Sequence, residues 1–97
     1  MDKLNAFIAP YSSMTKAFKA EFEKEDIYNF LGYIDAKKEG DAIFRIDNIL
    51  EKEFDFIYII SPNHGLDIYK SYIDKGVDRS KIKFIDYDAG FKEISFL

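Results

Sequence analysis

The chain has 97 residues, 47% of them apolar, and a formal net charge of −4. That is room for one domain, and ten Phe plus seven Tyr can fill its core. Zero Cys and a single His exclude disulfides and thiolate catalysis and argue strongly against structural zinc.

Lys and Arg are interspersed with Asp and Glu, with no basic stripe, so no nucleic-acid surface is expected. No apolar run is long enough to span a bilayer, and the start, MDKLNAFIAP, lacks the features of a signal peptide. A cytoplasmic location is the expectation.

Residues 3–9, KLNAFIA, predict a short strand that Pro10 ends. Tyr11, Ser12 and Ser13 make the turn, and Ser12 or Ser13 can cap a helix running to about residue 24. Met14, Ala17, Phe18 and Phe22 supply its buried face. The apolar run 27–34 predicts a second strand, closed by Asp35; Gly32 inside it marks close packing or a bulge. A charged turn, 36–40, leads to 42–46, a short strand or extended connection. Asp47 is expected to cap a brief surface helix over 48–53.

The stretch 54–76, FDFIYIISPNHGLDIYKSYIDKG, organises the rest. Phe56, Ile57, Tyr58, Ile59 and Ile60 form an unbroken apolar run, which predicts a strand covered on both faces. Pro62 ends it, and Asn63 is the expected N-cap of the next helix. Leu66, Tyr69, Tyr72 and Ile73 give that helix one apolar stripe, and Gly76 can stop it in a left-handed conformation. A last strand follows, from residue 82 to about 87. In 89–97, Phe91, Ile94 and Phe96 are too apolar for a free tail; they dock on the domain or begin a further element.

Strands alternating with helices predict an α/β three-layer sandwich. Its parallel sheet should hold four to five strands, the principal four in the order 2-1-3-4. The turns leaving the strands' carboxyl ends then gather in a crevice where the chain reverses direction across the sheet.

Three polar turns reach that rim. Tyr11, Ser12, Ser13 and Thr15 stand where a dinucleotide fold carries its glycines. The helix N-terminus and three hydroxyls can receive a phosphate, but Cβ atoms throughout and Pro10 disfavour NAD; the plainer role is helix capping. Asp35 stands where an acidic residue accepts from ribose hydroxyls, or is a solvated turn carboxylate. Ser61, Asn63 and His64 leave the third strand. His64, the one histidine, is of a type that serves as acid/base or ligand donor, yet no catalytic partner accompanies it at a diagnostic spacing, and an exposed first-turn residue is the alternative. The triplet Asp86-Tyr87-Asp88 matches a divalent-metal motif of some glycosyltransferases, but a chain this rich in Asp contains one by chance. No metal site is assigned.

The segments LGYID (31–35), KKEG (37–40), FDFIYIISP (54–62), DIYKSYIDKG (67–76) and SKIKFID (80–86) together resemble Rossmann-like domains of cell-envelope and capsular polysaccharide biosynthesis. The resemblance covers nearly the whole chain and implies a nucleotide or nucleotide-sugar ligand contacting Asp35 and the Ser61 turn. It also implies a bacterial module of a glycosyltransferase or methyltransferase, standing alone over 1–97 or as the N-terminal part of a longer enzyme. The glycine-free first turn is where this sequence departs from the pattern. The alternative is a degenerate Rossmann fold that docks another domain of a parent chain, or a second copy, without catalysis. No complete catalytic constellation is present in these 97 residues, so enzymatic activity is left open.

Overall fold

A computed structural model describes residues 3–94. Six strands form one sheet in the spatial order β3-β2-β1-β4-β5-β6. β1 (Leu4–Ala9), β2 (Tyr28–Ile34), β4 (Phe56–Ile59) and β5 (Ile82–Asp86) are its principal members. They lie in the order β2-β1-β4-β5, all parallel. The whole sheet nevertheless differs from the expected four or five parallel strands. The two-residue β3 (Ile43–Phe44) adds a parallel edge, and β6 (Lys92–Ile94) pairs antiparallel with β5 at the other.

β1 and β4 are buried on both sides because every residue from Ala6 to Ala9 and from Ile57 to Ile60 faces a packed layer. Phe7, Ala9, Ile57 and Ile59 point into one cluster, and Ala6, Ile8, Tyr58 and Ile60 into the other. Two-sided burial is what an unbroken apolar run dictates, since alternate side chains leave a strand on opposite faces.

α1 (Ser13–Lys24) covers the second cluster with Phe18 and Phe22. Ala17, expected on that buried face, is exposed: 100° per residue carries it off the stripe set by Phe18 and Phe22. α1 stops before Asp26, which takes a positive φ of 52°. α2 (Ile46–Ile49) and α3 (Gly65–Asp74) cover the first cluster. α2 begins two residues earlier than expected, with Arg45 rather than Asp47 as N-cap. It is no mere surface helix, because Ile46 and the fully buried Ile49, one turn apart, anchor it to the core. α3 is capped by His64, not Asn63. Its inward side is Ile68, Tyr69, Tyr72 and Ile73; Leu66, expected in the stripe, is 53% exposed. Gly76 ends it at φ +97°, with its N–H donating to the Ile73 carbonyl.

Gly32 has a packing reason. It sits at φ +144°, and a Cβ there would lie 2.5 Å from Phe44 Cε2 and 2.9 Å from the Ala42 carbonyl oxygen. The close neighbour is thus an aromatic ring of β3 rather than a helix. The β1–β2 register skips Leu31 at the same place, pairing Ala6 with Phe30 and Phe7 with Gly32, which is the bulge.

After β5 the chain turns back. The Asp86 side chain accepts from the Asp88 and Ala89 amides at 3.0 and 3.3 Å. The first acid of the D-x-D triplet therefore builds a turn. Phe91 docks on Phe18, ring centroids 5.4 Å apart. Ile94 ends β6; Phe96 and Leu97 lie outside the described residues.

Candidate functional site

α1 and α3 pack on opposite faces of the sheet, so the chain's direction reverses between β1 and β4. That switch point opens a groove of about 690 Å³ on the α3 side, at the carboxyl ends of β1, β2 and β4. Pro10, Asp35 and Ser61 mark the three strand ends along it. Ile34, Ile46, Ile68 and Tyr72 make an apolar floor, and Arg45, His64, Asp67 and Lys75 stand among the polar lining.

Asp35 is 8% exposed and organises the rim. Its Oδ1 accepts from the Lys37 and Lys38 amides, both at 2.8 Å, and its Oδ2 from the Tyr11 amide at 3.1 Å. Burial alone would raise its pKa; the three backbone donors and the Lys38 ammonium outweigh that and hold it below the ordinary 3.8. The carboxylate stays ionised and ties the β1–α1 turn to the end of β2. One lone pair on Oδ2 is left over. Arg45 locks the same loop by donating to the carbonyls of Asp35, Lys37 and Lys38. Lys75 reaches from α3 to Asp47 at 2.9 Å, closing one end of the groove.

The predicted site residues separate. Asp35, Ser61 and His64 come together in the groove. Asn63 lies on the other side of the same turn, in a hollow of about 290 Å³ that also borrows Ser61. Tyr11, Ser12, Ser13 and Thr15 are not part of the groove lining. Thr15 is fully buried, and its hydroxyl donates to the Ser12 carbonyl while accepting from the Ser12 amide. Ser12 Oγ accepts from the Thr15 amide. This closed capping box engages the Ser12 and Thr15 hydroxyls that were expected to meet a phosphate, while Ser13 stays exposed at the helix start. The Tyr11 ring packs on Tyr33 and carries the Lys16 ammonium over its face at 4.6 Å.

Tyr72 and Arg45 were missed. The sequence showed Tyr72 only as one member of an apolar stripe, and Arg45 lay in a segment of uncertain structure. Neither spacing nor composition marks them as rim residues.

No protein-family model matches the chain, and no curated protein matches it either. Among solved structures, the fold is similar to that of UDP-D-quinovosamine 4-dehydrogenase from Vibrio fischeri. The TM-score is 0.62 over 97% of this chain and 95% of that one, at 13% identity. The likeness establishes a Rossmann-like fold. Among the described residues, no helix is long and apolar enough to cross a membrane.

Proposed function

We propose that this chain is a nucleotide-sugar-binding Rossmann-like module, serving a glycosyltransferase or methyltransferase of bacterial polysaccharide biosynthesis. The observation that carries the reading is the groove at the switch point, where Asp35, Ser61 and His64 meet over an apolar floor. Its volume is in the range of small-molecule sites, and ligands of open α/β sheets bind at this edge. The name of the similar structure, an enzyme of a UDP-linked sugar, adds weight to a nucleotide-sugar ligand. The filled capping box at the first turn speaks against a dinucleotide.

The test is a titration of isotopically labelled protein with UDP and UDP-glucose. Amide shifts are expected at Ser61, His64 and the first half of α3. Ligand at 100 times its dissociation constant should stabilise the fold by about 2.7 kcal/mol. No shift at millimolar concentration with either compound would sink the reading.

A second reading, non-catalytic docking, is favoured by Leu66, Tyr87 and Ile94. All three are exposed apolar side chains around the smaller hollow beside β5. A chain that binds neither compound and sediments as a dimer would establish it over the first.

A further inference from the structure

Tyr72 belongs to the apolar cluster under α3 and is 6% exposed, yet its hydroxyl has no hydrogen-bond partner among the described residues. Buried tyrosines ordinarily satisfy that group. No fully buried side-chain polar atom in the described structure lacks a partner. The Tyr72 oxygen is therefore not sealed from solvent, and the residue lines the groove together with Asp35. Burial, and secondarily the negative charge of Asp35, push its pKa up, so it stands there as a neutral phenol able to donate and accept. A phenylalanine would fill the same space without desolvating a hydroxyl.

The surroundings specify what that hydroxyl suits. Asp35 keeps one acceptor position on Oδ2. Ser61 Oγ accepts from the His64 amide at 3.2 Å and retains its own proton to donate. Ile34, Ile46 and Ile68 lie between these polar groups as an apolar floor. A hydroxylated ring has this pattern in reverse, with C–H faces and a polar edge. We infer that Tyr72 recognises a hydroxylated ring of the ligand, a ribose or an appended hexose, by a hydrogen bond from its phenol to a ring hydroxyl. The inference rests on the nucleotide-sugar reading and adds to it the residue that discriminates the ring.

The experiment compares the full chain with Tyr72→Phe, using UDP and UDP-glucose as probes in calorimetric titration, with thermal unfolding alongside. Tyr72→Phe should weaken at least one ligand about three- to ten-fold, the worth of one hydrogen bond. Loss confined to UDP-glucose assigns the hexose, and equal loss with UDP assigns the ribose. The unliganded midpoint should stay level or rise, because no internal bond is removed. Undiminished binding of both probes by the variant would overturn the inference while leaving the nucleotide-sugar reading standing. A marked fall in the unliganded midpoint would overturn it too, by revealing an internal partner. If the unaltered protein binds neither probe, both readings fail together.

Discussion

Asp35→Asn is the most exacting test of how the rim is built. The change keeps the side chain's shape but removes the charge and turns one acceptor oxygen into a donor. With the amide oxygen at the Oδ1 position, the Lys37 and Lys38 contacts persist without charge assistance. The amide nitrogen then faces the Tyr11 N–H, donor against donor, across what is now 3.1 Å. One lost contact and two weakened ones amount to about 2 kcal/mol. In a domain of this size that lowers the unfolding midpoint by about 10 °C. The sign of the pH dependence follows from the depressed pKa. The carboxylate's contribution is complete above its ordinary 3.8 and is lost as pH falls through the lower folded-state value. Urea unfolding at several pH values should show a constant gap between the two proteins from about pH 7 to about pH 5 and a gap that narrows as pH falls below the ordinary 3.8. A variant within about 0.5 kcal/mol of the parent at neutral pH would refute the claim that this carboxylate holds the turns together.

Gly32→Ala places a Cβ 2.5 Å from the Phe44 ring at a backbone φ of +144°. Strain and overpacking together should cost about 3 kcal/mol or more, read from the urea midpoint; a neutral variant would mean β3 can move away freely. Ser12→Ala removes the acceptor for the Thr15 amide and should cost about 1 kcal/mol. Titration should find its affinity for UDP-glucose unchanged, since Ser12 lies outside the groove. A weakened affinity would return the first turn to the binding site.

The principal sheet was legible because its signal is redundant. Ile57, Ile59 and Ile60 announce a buried strand by type, by continuity and by the proline that follows. The order of β1, β2, β4 and β5 is then the one expected where strands alternate with helices and the chain reverses direction once across the sheet. The edges were not legible, because two or three residues carry no period. β6 is made by the turn at 86–91, where Gly90 and Phe91 take φ of +75° and +64°. A phenylalanine in that conformation is not readable from its type. The α2 start was misplaced because Asp47 is a better N-cap by type than Arg45. Burial of Ile49 outweighed the cap, a tertiary contact overriding a local preference. At the site, Asp35, Ser61 and Thr15 read alike as polar rim residues; the structure puts Asp35 and Ser61 on the groove lining and buries Thr15 within the hydrogen bonds of the capping box, a difference that residue type does not carry.

Those hydrogen bonds also decide which turn is left with something to offer. At the β1–α1 turn Pro10 has no N–H, the Tyr11 amide is taken by Asp35, and its carbonyl accepts from the Lys38 ammonium at 2.6 Å. Ser12 and Thr15 satisfy each other. The Tyr11 amide and carbonyl and the Ser12 and Thr15 hydroxyls are thus all engaged, which leaves the exposed Ser13 as the hydroxyl of that turn outside these bonds. At the β4–α3 turn the balance differs. His64 caps the helix without a side-chain hydrogen bond, and Ser61 Oγ is occupied only as an acceptor. At this helix start the His64 and Gly65 amides are taken by the Ser61 hydroxyl and carbonyl, and no side chain caps the amides that follow. Tyr72, whose hydroxyl has no partner among the described residues, lines the groove beneath it. Binding is strongest where donors and acceptors need no rearrangement to meet a ligand. The proposed nucleotide-sugar site therefore rests on the turn after β4 rather than on the first strand-to-helix turn.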